Sequence, residues 1–236
     1  MLKQIKIRNA IILILCIILE VGCATFRSKE KTDDFFYRAS DVIEKRCAYW
    51  QSFEAQFSLK VNAPRDPNRY ILLYYQNHEF LRLDLISLWG NTIAVIVVKP
   101  KEATIWIPAK KTLYKASNVG NLLEKLAGIE GRIIDVLPVV TGCISNQPGR
   151  SFRVLSTKSQ GLDLEGLKIK QIDRIWQIDY SPPFSLSPAE NLPKTIHIHT
   201  SDLDINLELQ KINKRDLIPN SRFEVSYPQE TSIIEL

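Results

Sequence analysis

The 236-residue chain predicts a mainly β protein with a few helices, an α+β fold built on one long antiparallel sheet. Three observations carry this. Segment after segment alternates apolar and polar side chains, the period of a half-buried strand. The links between segments are short and rich in turn residues. Helical spacing recurs only before the first strand and once in the middle. The alternation counts to about eleven or twelve strands. A sheet of that length must close on itself or be covered by helices to protect its apolar face.

The elements follow in order. Thr32-Asp33-Asp34 is a helix start, with a cap residue and then acids near the positive end of the helix dipole. Phe36, Ser40, Ile43, Cys47 and Trp50 recur at helical spacing, so the first helix is expected over 33–49, with Glu44, Lys45 and Arg46 facing out. From Phe53 to Val61 the period changes to two. Arg69 to Gln76 is a second strand, aromatic-rich, and Phe80 to Ile86 a third, in which Leu81, Leu83 and Leu85 alternate with Arg82 and Asp84. Ile93 to Val98 is apolar at nearly every position, which implies a strand covered on both faces. Thr104–Ile107 and Thr112–Lys115 complete an antiparallel meander. Two short helices are expected at 118–127 and 132–140, with Gly128 and Gly142 at C-cap positions and Pro138 shortening the second. Strands resume at Phe152–Ser156, Leu162–Leu167, Gln171–Tyr180, Thr195–Thr200 and Leu203–Gln210. Ser181 to Leu192 reads as a proline-rich loop, and Arg222 to Tyr227 as a last short strand.

The first residues are a targeting segment. Lys3, Lys6 and Arg8 precede the apolar run Ala10–Leu19. As a helix this run rises about 15 Å, half of a hydrocarbon core of about 30 Å, so it is a secretory signal and not a span. Leu19-Glu20-Val21-Gly22-Cys23 resembles a bacterial lipobox, with Glu20 departing from the apolar residue expected there. That resemblance implies cleavage before Cys23 and a diacylglycerol on its thiol. Ala24 at the next position resembles the signal for onward export to the outer membrane. Cleavage after Ala24 is the other reading. The expected organisation is a signal over 1–22, a lipidated tether over 23–31 and one domain over 32–236. The net charge is +5, of which the signal carries +2, leaving +3. That is mildly basic, compatible with an anionic membrane surface and not with nucleic acid. Cys47 and Cys143 lie in an oxidising compartment and either pair or are two small buried apolar residues.

The loop Ser87-Leu88-Trp89-Gly90 departs from the polar tips that turns carry. Leu88 and Trp89 either fold back onto the sheet edge or form an apolar finger aimed at a membrane or partner. Ten apolar residues on alternating strand faces invite a similar choice: Phe57, Leu59, Leu83, Leu85, Trp176, Ile178, Ile196, Ile198, Ile205 and Leu207. They either fill a core or line a cavity.

Three stretches resemble the LolB family of outer-membrane lipoproteins and its LolA-like relatives, over roughly Phe35 to Gln210. They are Leu81–Gly90, Leu122–Gly128 with the apolar helix ending at Gly142, and Trp176–Tyr180 with its proline-bearing loop and Leu192-Pro193. The resemblance implies a half-open barrel of about eleven strands lidded by three helices. It implies a cavity for acyl chains of lipoproteins or lipids, lined by some of the ten apolar residues, with delivery to the inner leaflet of the outer membrane. It also implies a LolA-like periplasmic carrier as partner. In that family the apolar residue just before the glycine enters the membrane, which places Leu88, Trp89 and Gly90 at the insertion loop. The chain departs from the family in some 25 residues beyond the last shared strand.

Catalytic chemistry finds little support. His197 and His199 share one strand face, but metal sites need three or four convergent ligands, so no metal is expected. There is no Gly-x-Ser-x-Gly elbow, Gly-rich phosphate loop or Cys-x-x-Cys, and no cofactor or enzyme activity is expected. A structural or assembly lipoprotein that holds a protein partner on the same barrel is the alternative function.

Overall fold

The computed structural model describes residues 39–61, 69–77, 79–117, 140–144, 151–156, 162–171, 174–199 and 204–236. The chain divides into two units, residues 1–40 and residues 41–236, and the fold below is that of the second. It is mainly strand. The strands are β1 Ser52–Val61, β2 Arg69–Gln76, β3 Phe80–Ser87, β4 Thr92–Lys99, β5 Glu102–Ile107 and β6 Thr112–Ala116. They continue as β7 Ser151–Ser156, β8 Asp163–Gln171, β9 Arg174–Ser185, β10 Thr195–His199, β11 Asp204–Lys214 and β12 Ser232–Glu235. One helix, α1, covers 39–49. The expected segments 118–127 and 132–139, and the residues from 1 to 31, lie outside the described residues.

All twelve strands belong to one unclosed sheet, in the order β12-β6-β5-β4-β3-β2-β1-β11-β10-β9-β8-β7. This is a half-open barrel. The chain runs down a meander from β1 to β6, then crosses to β7 at the far edge and works inward until β11 docks on the other side of β1. Eleven strands pair antiparallel. β12 departs from the expected pattern and adds parallel to β6, Ile233 opposite Leu113.

Pairing fixes which side chains share a face, because directly opposed residues point the same way. Phe53, Ala55, Phe57 and Leu59 on β1 set one face, and their partners on β2 are Tyr75, Leu73, Ile71 and Arg69. That face is inner and apolar. The other face carries Glu54, Gln56 and Ser58 on β1, the polar half of the alternation read from sequence.

The outer face is not bare, however. After β11 the chain crosses back over β2–β5 as a strap. Its Ile218 and Phe223 are buried against Val95, Val97, Trp106 and Leu113, with Tyr74, Phe80 and Val225 packed around them. Polar anchors fix its path. The Ile218 N–H donates to the Gln76 side-chain oxygen at 2.8 Å. Arg82, itself bonded to Asp84 at 2.8 Å, donates to the backbone oxygens of Arg222 and Glu224 at 3.1 and 2.9 Å. This is why β4 is apolar at nearly every position: Val98 faces inward, and Val95 and Val97 face the strap.

Several boundaries differ from the sequence reading: β8 runs on to Gln171, β9 begins at Arg174 and β11 continues to Lys214. Arg222–Tyr227 is not a strand: Asn220–Phe223 is a 3-10 turn, and the terminal strand lies further on at Ser232–Glu235. Phe223 and Val225 alternate because they pack on a sheet, without belonging to one. β9 runs on through Pro182 and Pro183 to Ser185, with Phe184 opposite Leu164. Prolines were expected to end it, but they interrupt a ladder only where an N–H is needed.

The strap is therefore a structural layer. Phe223→Ala is expected to cost about 3–5 kcal/mol of unfolding free energy, read by urea denaturation, from the lost apolar contact and the cavity left over Val97 and Trp106.

Candidate functional site

The inner face is the candidate site. All ten apolar residues picked from the sequence fall on it. Phe57 lies opposite Ile71 and Leu209, and Leu59 opposite Leu207. Leu83 is flanked by Leu73 and Ile96, and Leu85 by Ile71 and Ala94. Ile196 joins Leu207 to Tyr180, and Ile198 joins Ile205 to Ile178. Trp176, two residues before Ile178, completes the face on β9.

Burial along this face is graded. At one end of the barrel Phe53, Leu73, Tyr75, Leu81, Val98 and Ala103 are all buried. Toward the other end the same strands present half-buried residues: Ile71 on β2, Leu83 and Leu85 on β3, Ala94 and Ile96 on β4. Across the seam Ile205 and Leu207 are half-buried as well. Trp176 is half-buried, whereas Phe57, Leu59, Ile178, Ile196 and Ile198 are buried. The apolar face is closed at one end and partly uncovered at the other.

The partly uncovered end carries the β3–β4 loop. Trp89 is 88% exposed and Leu88 47%. The loop is held in place, not frayed. The Ser87 N–H donates to the Asn91 oxygen at 2.9 Å, and the Asn91 N–H to the Ser87 hydroxyl at 3.1 Å. Gly90 closes the turn at φ +81°, a left-handed conformation costly for other residues, with its N–H on the Ser87 oxygen at 3.0 Å. Leu88 and Trp89 do not fold back onto the sheet edge.

The closed end is organised by a residue expected to face water. Arg46, on α1, is completely buried. Its guanidinium donates to four backbone oxygens: Thr141, Leu186 (3.0 Å), Pro188 (3.2 Å) and Asn191. It also lies over the Phe184 ring, 5.3 Å from its centroid. Burial pulls the Arg46 pKa down to about 10, offset in part by Tyr180 and Glu190, so the group is charged at neutral pH. Burial also pushes the Tyr180 hydroxyl well above the usual phenol range, and it stays neutral. Close by, the Trp50 indole N–H donates to the Ala189 oxygen at 2.8 Å, and Trp50 stacks edge-on to Phe53. Cys47 and Cys143 form a disulfide that spans 96 residues. Helix α1, the segment 140–144 and the loop 186–191 are thereby tied together above Phe184. Glu44 and Lys45 are exposed, as expected of that side of the helix.

No family model matches the chain. Over 203 residues it is 23% identical to the outer-membrane lipoprotein LolB of Shewanella denitrificans, spanning 84% of this chain and 92% of that protein. The chain is LolB-like. Among solved structures it is similar to a LolA superfamily protein from Nitrosomonas europaea, 15% identical over 79% of this chain and 97% of that one, TM-score 0.45. It is also similar to a putative outer membrane lipoprotein-sorting protein domain from Vibrio parahaemolyticus, 10% identical over 78% and 94%, TM-score 0.47.

The remaining sequence candidates of the LolB-like chain fall elsewhere. Cys23 is outside the described residues. His197 and His199 stand on the outer face, rings stacked 6.3 Å apart, with His199 Nδ1 3.2 Å from Asp204 and Nε2 3.8 Å from Asp179. Among the described residues no group of three or more metal-ligating side chains converges. A cleft of about 130 Å³ opens on the outer face between Gln56, Leu72, Tyr74 and Lys211, away from the ten apolar residues.

Gly142 tests the closed end. It has φ +70°, and a Cβ there would stand 2.8 Å from Leu186 Cδ2 and 2.9 Å from Arg46 Nε. Gly142→Ala is expected to cost more than about 2 kcal/mol, from backbone strain plus displacement of a buried charge, measurable as a lowered thermal midpoint.

Proposed function

We propose that the LolB-like chain is a lipid-anchored lipoprotein on the periplasmic face of the outer membrane that handles acyl chains without catalysing a reaction. In this reading Cys23 carries the anchor. The half-uncovered end of the inner face holds acyl chains of lipoproteins or lipids, and the Leu88–Trp89 loop engages the inner leaflet during delivery. A LolA-like carrier supplies the cargo. The observation that carries the proposal is the gradient of burial. The inner face is sealed at the α1 end and only half-buried at Leu83, Leu85 and Ile96, on the two strands joined by the Trp89 loop, and at Ile205 on β11. The similarity to an outer-membrane lipoprotein named LolB supports it.

The chemistry suits the task. A long apolar chain loses about 0.8 kcal/mol of favourable transfer for each CH₂ it exposes to water, so a carrier needs a continuous apolar wall. It also needs a wall that is not fully self-packed, because a dry, close-packed core has no room for a guest. Trp suits a headgroup region, where its ring is buried and its N–H stays wet.

Two outcomes are expected. Protein matured in the periplasm and then purified should release fatty acyl chains on solvent extraction, seen by mass spectrometry. Leu83→Asp should lower their amount severalfold. Absence of acyl chains, together with no uptake of a fluorescent fatty acid, would count decisively against a carrier. Trp89→Glu should leave the unfolding free energy within about 0.5 kcal/mol, because the side chain is exposed. The same change forfeits about 1.5–3 kcal/mol of apolar insertion and adds up to about 2.5–3.5 kcal/mol for an immersed acid. Transfer of acylated cargo into liposomes should therefore fall by about a thousandfold where the acid is fully immersed, even at the lower figures, and less where the loop reaches only the interface. A stable Trp89→Glu protein that transfers cargo at the normal rate would remove the loop from the mechanism.

A further inference from the structure

We infer that the end of the barrel bearing Trp89 is built to select an anionic lipid bilayer, through a basic rim centred on Lys110 and Lys111. This rests on the membrane-facing reading of the Trp89 loop. The meander places the rim. The β3–β4 loop and the β5–β6 corner leave the sheet at the same end, because Val95 lies opposite Trp106 and the strands reverse together. Two strand spacings, about 10 Å, separate them. The corner is a 3-10 turn, Pro108–Lys110, packed against β4 and closed by the Lys111 N–H on the Pro108 oxygen at 2.9 Å. Lys110 and Lys111 are both exposed on this fixed corner.

Among the described residues of the β1–β6 half, the charge balance at this end is one-sided. Lys60 is exposed near the end of β1, and Arg69 lies opposite Ser87 at the root of the Trp89 loop. Among the described residues of the β1–β6 half and the strap, the acid at this end is Glu230. It meets Lys111 at 3.1 Å in a fully wet pair, too exposed to neutralise the rim. Lys110 makes no ion pair among the described residues. Asp204, the first residue of β11, lies at this end too but outside that half, and it faces His199. The opposite end of the same strands is mixed, with Glu79 and Glu102 beside Lys99 and Lys101. Screening in physiological salt acts over about 8 Å, so charges about 10 Å from Trp89 act on lipid only when the loop is already at the surface. The rim therefore reads headgroup charge after the apolar tip touches.

The test uses the full-length chain reconstituted into phosphatidylcholine vesicles, with or without about one-third phosphatidylglycerol. Loop engagement is read as quenching of Trp89 fluorescence by brominated acyl chains, with a Trp89→Phe protein subtracted to remove the other three tryptophans. The anionic lipid should raise the ratio of engaged to free loop in the wild type, and high salt should abolish the gain. A basic residue near an anionic surface is worth about fivefold in such a ratio. Lys110→Gln should lose about fivefold on anionic vesicles, and Lys110→Gln with Lys111→Gln up to about 25-fold, with no change on neutral vesicles and unchanged melting. Equal quenching of wild type and variants on both vesicle types would overturn the rim and leave the loop reading standing. No quenching of Trp89 on any vesicle would overturn both.

Discussion

A buried guanidinium holds the closed end together. Taking a cation out of solvent costs several kcal/mol unless its donors are matched, and Arg46 directs its donors to carbonyls from two separate stretches of chain. Backbone oxygens carry no countercharge, so the arrangement depends on the planar fork meeting several of them at once. This makes the site intolerant of its surroundings. Gly142 has to lack a side chain because the guanidinium lies where one would go. The Cys47–Cys143 bridge, one residue away from each of these, restricts the same region covalently and adds about 4–5 kcal/mol in the chain-entropy account.

The two ends of the inner face therefore obey different rules. Near α1 the aromatic series Trp50, Phe53 and Tyr75 and the Arg46 cluster leave little freedom. Along β2, β3 and β4 the same apolar alternation continues, but nothing among the described residues seals it. Identical sequence patterns thus produce a packed core at one end and a partly uncovered wall at the other. The difference lies in what is laid over the sheet, not in the strands.

That explains how far the sequence could be read. Strands were legible because alternation is local, and β2 was found to the residue. The oddity of Leu88 and Trp89 was legible because a turn with a large aromatic tip violates a local rule. Arg46 was not. A charged residue beside Glu44 and Lys45 on a helix reads as solvated, and its acceptors lie 95 to 145 residues away with no pattern of their own. The strap was half legible: the two-sided character of β4 announced that something covers its outer face, but Phe223 and Val225 carried the same period as a strand. The division of the ten inner residues into buried and half-buried was beyond reach, since all ten obey the same alternation.

The strap divides the sheet into unlike halves. From β2 to β5 the sheet has packed side chains on both faces, whereas at the join between β1 and β11 its outer side holds an unfilled cleft and a bulge, with Gln56 opposite Lys211 but Phe57 opposite Leu209. Flexing a sheet clad on both sides requires shearing two close-packed layers, which resist compression. A sheet clad on one side, at a point where its ladder is already interrupted, bends more cheaply. The β1/β11 join is therefore one compliant line in the sheet, and it divides the inner wall between the β1–β6 half bearing Trp89 and the β7–β11 half bearing Ile178 and Ile198. Under the proposed carrier function, a guest wider than the resting groove is accommodated by splaying these halves about that line, with the strap as a splint for one of them.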